Sequence, residues 1–596
     1  MGKEARAKAL LKQQAQTGQG ALRTRAEHES AAGNWHSACE AWQALLQQSP
    51  GDASTHANLA QALAHAGRHA EAVDAWAAAM HYGLPADQAA VGMADVFILR
   101  KQYDIALENL DMAIAANDGN LQAWSKRVMV CTRLGKLQEA LSAAEQVLAV
   151  APEDLNTLLS LGMLFKDAGV PEEALSWLQR AIAAAPAKLP LRSNLLWAML
   201  HADQPSAAEI LEQARQYGQL LCAEKQAGLR QAPRRRGDVL RIGWLSADLR
   251  NHAVGHFVIP VLEAFDTQRS CHIVYDNSGL DDAMSQRARR AVSQWHKVSQ
   301  LGDAALAQLI QNDQLDILID LGGHTDGTRL EVFATRLASV QISWLGYPGT
   351  TGVIGMDYVL VPPDPALLRG GWSSEEALAL PDSYCVREPS YSAPPTDCTP
   401  PCLRNGYIRF GCLNNFAKVS PSAIAVWAHI LQRVAHSQLL LVINGEPDGE
   451  LAADIRTRFA ALGVAAERLQ IRGRMSPADY FASYREIDIA LDSFPFNGGT
   501  TGFDALSMAT PFVTLAGEAL HARMGRNLLC AVGLEPLVAD SIDDYIAKAC
   551  ALAAEPARIS ALHAYLGDTM PKSVLMDVPR FARGLEAIFE RLLPPA

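Results

Sequence analysis

This chain has none of the marks of a membrane span, a cystine framework or a nucleic-acid binder. No apolar run approaches the roughly 18 residues that a span requires. Hydrophobic residues make up 49% of the 596, and mean hydropathy is +0.00, the balance of a globular protein. Ten cysteines are scattered without a Cys-x-x-Cys pair, so structural thiols are expected rather than zinc ligands or disulfides. A net charge of −12 offers no basic face to phosphate backbones, and the one basic cluster, Arg234-Arg235-Arg236, is short, so no nucleic-acid partner is expected. Met1 to Ser30 has basic residues but no apolar h-region, and the expected location is the cytoplasm. No Gly-x-Gly-x-x-Gly follows a first strand, which argues against a dinucleotide dehydrogenase.

At this length three or four domains are expected. The first is a repeat. Gly33, Gly67, Gly135 and Gly169 fall on one grid of 34 residues, with Lys101 in the remaining slot, and Ala38, Ala72, Ala106, Ala140 and Ala174 fall on a second grid of the same period. Trp42 and Trp76 keep that spacing, and Pro50, Pro152 and Pro186 fall on multiples of it. The pattern resembles tetratricopeptide repeats, which implies five helix pairs from Gly33 to Pro186 and a degenerate sixth unit through Asp203 and Ala208. Alanine lets the paired helices approach, glycine ends the first helix and proline the second. Such a stack leaves a groove for an extended protein segment. Asn58 and Asn194 occupy equivalent positions and either line that groove or lie on a solvated helix face.

From Leu240 the period changes. Short apolar runs at Leu240–Leu245, His272–Tyr275, Leu315–Asp320 and Val340–Leu345 alternate with helical segments. A second set runs through Ile408–Phe410, Leu439–Ile443, Leu469–Ile471, Ile487–Leu491 and Phe512–Leu515. This alternation predicts two parallel sheets with helices on both faces, two Rossmann-like halves divided by the Pro-rich stretch Pro389–Pro401. The domains are therefore drawn as a tail or helix over 1–30, repeats over 31–210, a linker helix over 211–238, a first half over 239–400 and a second over 401–596. The last helix is expected to cross back to the first half.

Ligands of such sheets bind at the carboxyl ends of the strands. One strand end organises the rest: Asp492-Ser-Phe-Pro-Phe-Asn-Gly-Gly-Thr-Thr-Gly-Phe-Asp504, a glycine loop between a buried strand and a helix start. Gly498 and Gly499 let backbone approach a ligand, and Thr500 and Thr501 stand where helix-start amides attract phosphate. An ordinary N-cap would read the same way. The other unusual ends are Ser246–His256, Leu321–Gly327, Gly346–Gly352 and Gly411–Lys418. The last of these puts a lysine before the helix that Pro421 opens.

Asn251-His252, Trp344-Leu-Gly-Tyr-Pro-Gly-Thr350, Asn414-Asn-Phe-Ala-Lys418 and Asn497-Gly-Gly-Thr-Thr-Gly-Phe-Asp504, in this order behind a repeat array, resemble the O-GlcNAc transferase family, which includes the plant SPINDLY proteins. The resemblance covers roughly residues 33 to 590. It implies a metal-independent, inverting GT-B glycosyltransferase, with no cofactor, that moves a sugar from a nucleotide diphosphate donor to Ser or Thr of proteins held by the repeats. By the same resemblance Lys418 is the catalytic lysine, and His252 is the base or organiser of the acceptor hydroxyl. Thr500, Thr501 and the amides at Gly498 and Gly499 would hold the diphosphate. Asp504 would hold the ribose, or serve as a first-turn carboxylate; Asn415 would face the nucleotide, or cap the next turn. Gly346, Tyr347 and Pro348 would line the sugar pocket, and Arg474 and Met475 lie in the base-contacting segment. His296 is a further candidate for the cleft. A metal at Asp248, His252 and His256 is not expected, because a lysine-based leaving-group site makes a cation redundant. Gly499 stands where animal members have histidine, and the stretches Asn414-Asn-Phe-Ala-Lys418 and Ala516-Gly-Glu-Ala-Leu-His521 look closer to the SPINDLY branch, which uses GDP-fucose; another hexose donor stays open beside it. UDP-GlcNAc is the first expected donor, GDP-fucose the second, and a scaffold without activity the alternative of a different class.

Overall fold

The computed structural model describes residues 19–224, 239–388 and 398–593. The chain divides into two compact units, one ending at Leu164 and one beginning at Phe165. Arg234-Arg235-Arg236 and residues 389–397 of the Pro-rich divider lie outside the described residues.

The first unit is helical. After a helix ending at 31 come Trp35–Gln48, Ala53–His65, His69–His81, Ala86–Leu99, Tyr103–Ala116, Leu121–Leu134, Leu137–Val150 and the start of Leu155–Asp167. The two grids have distinct physical origins. Ala38, Ala72, Ala106 and Ala140 are all 0% exposed, because each sits where two helices of a pair touch and a larger side chain would force them apart. Gly33, Gly67 and Gly135 have φ of 75°, 78° and 73°, the left-handed turn that closes a helix, and Lys101 in the vacant slot adopts φ 57° at the cost a β-carbon carries there.

The second unit continues the helices with Pro171–Ala184, Leu189–Met199 and Ala207–Glu224, then turns to α/β structure. The first sheet has β1 (Leu240–Ser246), β2 (Ser270–Asp276), β3 (Gln294–Lys297), β4 (Ile317–Asp320), β5 (Val340–Ser343), β6 (Tyr358–Val361) and β7 (Glu376–Ala379) in the order β3-β2-β1-β4-β5-β6-β7. The second has β8 (Arg409–Cys412), β9 (Gln438–Val442), β10 (Leu469–Arg472), β11 (Ile489–Leu491), β12 (Phe512–Leu515) and β13 (Val538–Ala539) in the order β10-β9-β8-β11-β12-β13. Every pairing is parallel. Two parallel sheets with helical connections are the fold class that the alternation predicts.

In each sheet the order reverses beside the first strand, between β1 and β4 and between β8 and β11. A crevice opens at such a reversal, outside the carboxyl ends. The final helix, Val578–Leu592, buries Phe581, Leu585 and Phe589 among Trp244 of β1 and Trp344 after β5, so the end of the chain completes the first sheet's core. No helix among the described residues is long and apolar enough to cross a membrane.

Candidate active site

The glycine loop follows β11, and its helix is Gly499–Ser507. Gly498 is the cap residue, so the amides of Gly499, Thr500 and Thr501 have no acceptor within the helix. A β-carbon on Gly498 would lie 2.4 Å from both Asn414 Oδ1 and Thr501 Oγ1, so glycine alone fits here. The loop is fastened from behind. Asp492, buried at the end of β11, accepts from Gly498 N (2.7 Å), Thr514 Oγ1 (2.7 Å) and Asn414 Nδ2 (3.2 Å). Thr501 Oγ1 donates to Asn414 Oδ1. Asn414 therefore ties the loop after β8 to the loop after β11, across the sheet's reversal point.

Lys418 ends a short 3-10 turn, Phe416–Lys418, that Asn415 caps through Ala417 N (3.2 Å). Its Nζ donates to the Asn497 carbonyl (3.1 Å), the residue just before the Gly498 cap, and lies 3.8 Å over the centre of the Phe496 ring. No carboxylate forms an ion pair with it among the described residues. Burial pushes its pKa down to about 8, against the opposing pull of Asp492 and of Cys412. An ammonium and free helix-start amides thus share one loop, an arrangement that receives an anion.

The remaining sequence candidates are distributed as follows. Thr500 is half-buried in the first turn of the same helix, and Asn415 is exposed. Asp504 is 2% exposed and has both oxygens engaged, Oδ1 by Arg387 Nη1 (2.6 Å) and Oδ2 by Tyr480 Oη (2.9 Å). Arg474 is exposed past the end of β10, bonded to Asn444 (2.9 Å), with Met475 beside Ser483. A β-carbon on Gly346 would lie 2.0 Å from the Leu321 carbonyl, so that glycine answers to chain packing. Tyr347 is buried against His324 and Trp197, and Pro348 is buried beside it.

His252 caps helix Ala253–Ala264 at the end of β1. Its Nδ1 accepts the Val254 amide (3.3 Å) and stands 3.6 Å from Asp248 Oδ1, while 41% of the side chain stays exposed. Burial lowers its pKa from 6.5 and Asp248 opposes the shift. His256 turns instead to Asn251 Oδ1 (2.9 Å). His296, on β3, lies flat on Tyr275 and 3.4 Å from Asp313. Asn194 donates to the Pro190 carbonyl of its own helix (2.8 Å). In the first unit a separate cavity of about 450 Å³ is lined by Gln122, Ser125, Lys126, Met129, Asn156 and Ser160, on helices Leu121–Leu134 and Leu155–Asp167.

Several residues that the sequence did not single out complete the site. Phe496 meets Trp197 (5.8 Å), His201 (5.0 Å) and His521 (5.8 Å) edge to face. Trp197 and His201 come from the last repeat, where the grid has decayed and no motif marks them. Arg387, fully buried, sits at the end of the first half and clasps Asp504 and Ser507.

The fold and this loop define a two-sheet α/β protein with an anion-receptive strand end, fronted by helical repeats. The chain belongs to glycosyl transferase family 41, which it matches over residues 215–386 and 401–585, and it carries tetratricopeptide repeats at 23–87 and 132–188. It is 34% identical over 367 residues to the tomato (Solanum lycopersicum) protein described as probable UDP-N-acetylglucosamine--peptide N-acetylglucosaminyltransferase SPINDLY, covering 59% of this chain and 38% of that one. To the Arabidopsis thaliana homologue SEC it is 30% identical over 365 residues, covering 59% and 37%. The chain spans about two fifths of the length of these relatives. Among solved structures, a mutant of the Thermobaculum terrenum O-GlcNAc transferase superposes with a TM-score of 0.76 at 27% identity, over 85% of this chain and 97% of that one. The two halves thus have the GT-B fold.

Proposed function

We propose that this protein transfers a sugar from a nucleoside-diphosphate donor to Ser or Thr hydroxyls of proteins, with inversion. The observation that carries the reading is the Lys418 ammonium at the mouth of the glycine loop, one residue ahead of the helix cap. In such a transfer the acceptor oxygen bonds to the anomeric carbon as the bond from that carbon to phosphate oxygen breaks. The electron pair leaves on the diphosphate, and the hydroxyl proton passes to a base. Charge therefore grows on the leaving phosphate, where Lys418 and the amides of Gly499, Thr500 and Thr501 stabilise it. His252 is assigned to the acceptor hydroxyl. To take a proton on Nε2 its ring must move its own proton to Nδ1, which gives up the bond from the Val254 amide and turns that N–H toward Asp248, 3.6 Å away.

UDP-GlcNAc is the first donor, in keeping with the names of the relatives. GDP-fucose is the second, favoured by the likeness of Asn414–Lys418 and Ala516–His521 to the SPINDLY branch and by Gly499 where animal members have histidine. The repeats are assigned to acceptor binding, with the groove of the first unit as the surface. Thermal-shift measurements with UDP-GlcNAc, UDP-glucose, GDP-fucose, UDP and GDP select the donor, since a ligand of the folded state raises its stability with affinity. Mass spectrometry of co-expressed proteins then reads the product, expected as hexose-type additions on Ser or Thr. Absence of both a shift and an addition would leave only the scaffold reading.

A further inference from the structure

Two buried imidazoles stand beside the proposed leaving-group site with no role in the chemistry described so far. His201, on the turn after helix Leu189–Met199, is 2% exposed, and His521, after β12, is 5% exposed. Both meet the Phe496 ring edge to face, at 5.0 and 5.8 Å, and that ring lies under the Lys418 ammonium. His201 Nδ1 contacts the Trp197 carbonyl (2.8 Å), which can only accept, so this nitrogen holds the proton and Nε2 is left as a bare acceptor. No donor reaches that Nε2 among the described residues. His521 Nδ1 likewise has no hydrogen-bond partner. His521 Nδ1 is thus an orphaned polar atom in a buried place, which calls for an explanation, and a ligand group that also meets the open Nε2 of His201 is one.

Charge decides what kind of group. Burial drives both rings to the neutral form; His521 is pushed down to about 4, with the nearby Lys418 adding to the shift. His201 is pushed well below its usual value, first by burial and then by Lys166. Neutral imidazoles offer an anion little and suit uncharged hydroxyls. Location says which part of the donor carries them. Trp197 touches Phe496 of the second half and Tyr347 of the first, at 5.8 Å each, so this cluster is where the two halves meet the last repeat. The group being transferred must be reachable from both halves, whereas the nucleoside needs only the second.

We propose that His201 and His521 are specificity-determining residues that hydrogen-bond the hydroxyls of the donor's sugar, so that a helix of the repeat array supplies part of the sugar pocket. This rests on the donor reading above and assigns the sugar end of that site.

The test is equilibrium binding of matched pairs, UDP-GlcNAc with UDP and GDP-fucose with GDP, to the full chain and to its His201→Leu, His521→Leu, His201→Gln and His521→Gln variants. For whichever pair binds, each leucine variant is expected to weaken the sugar nucleotide by about 3- to 10-fold, the loss of one neutral hydrogen bond. The free nucleotide should stay within about twofold, and the glutamine variants should recover part of the loss. Free-nucleotide affinity doubles as the check that the variant is folded. Equal weakening of sugar nucleotide and free nucleotide would assign the two histidines to packing and overturn the proposal. No change in either affinity would overturn it as well. Failure of the unaltered protein to bind any member of the pairs would remove the donor reading itself, and this proposal with it.

Discussion

At the residue scale the proposed transfer turns on an ammonium that no carboxylate pairs among the described residues. Lys418 rests on a carbonyl oxygen and an aromatic face, both weaker partners than a phosphate. Lys418→Ala is therefore expected to lower turnover of the sugar nucleotide by about 10²–10³-fold, the usual effect of removing one preorganised stabiliser of a leaving charge. The folded protein should lose little stability, since the lysine holds one hydrogen bond and one ring contact but no ion pair, and its burial as a cation is itself a cost. Background turnover equal to that of the unaltered protein would remove Lys418 from the reaction. The depressed pKa adds a pH signature with a definite sign. Below about pH 8 the free protein carries the ammonium and attracts the diphosphate; above it the amine is neutral, so binding an anion must recruit a proton. UDP or GDP affinity should accordingly fall as pH rises through about 8, and a profile flat to pH 9 would contradict it. On the acid side, burial lowers the pKa of His252, so if it serves as the base the acid limb of the turnover profile should lie lower than for a free imidazole.

At the element scale, what positions Lys418 is a dock between the repeat and the loop after β8. Gly169, at φ 68°, comes so close to that loop that a β-carbon would lie 2.8 Å from the Val419 carbonyl and 2.9 Å from the Phe416 ring. Arg458 donates to the carbonyls of Ala168 (3.0 Å) and Gly169 (3.1 Å), and Asp203 accepts the Ser422 amide (3.1 Å). Gly169→Ala meets both a left-handed backbone and that carbonyl, a strain of about 1–3 kcal/mol. Calorimetry should show the lost stability, and turnover should fall with it because the Lys418 loop must move; the same substitution at Gly67, with open space around it, should cost stability alone. A second clasp joins the end of the first half to helix Gly499–Ser507. Arg387→Ala leaves Asp504 buried without its cation and should destabilise by about 3–5 kcal/mol, read as a shift of the denaturation midpoint. The grid of glycines and the apolar runs made these elements legible in the sequence, because helix ends and buried strands leave periodic marks. β3 and β7 leave none: Gln-Trp-His-Lys and Glu-Ala-Leu-Ala are short edge strands held by neighbours. Residues 492–504 and Lys418 were readable for the same local reason, a glycine loop between strand and helix. Trp197, His201 and Arg387 were not, since each acts on residues more than 100 positions away and nothing in its own neighbourhood announces the partner.

At the scale of the whole molecule, the division of the chain separates two tasks that the sequence runs together. Lys418, the glycine loop, Trp197, His201 and the Gly169 dock all lie after Phe165, in one compact unit with its own core, while the groove lined by Gln122, Lys126 and Asn156 lies wholly before it. A chain cut to residues 154–596 keeps every one of the first group. It should show the same donor-induced thermal shift as the full protein, and the same slow hydrolysis of the sugar nucleotide by water. Transfer to protein acceptors should drop, because the helix that carries Gln122, Ser125, Lys126 and Met129 of the surface assigned to them is gone. A chain cut to residues 205–596 keeps both sheets but loses Trp197, His201, Gly169 and Asp203, so the loop carrying Lys418 loses its support. Its donor-induced shift should vanish even where far-ultraviolet circular dichroism still reports folded sheets and helices. If the shorter chain bound donor as well as the longer one, the last repeats would be only a tether for acceptors and no part of the donor site.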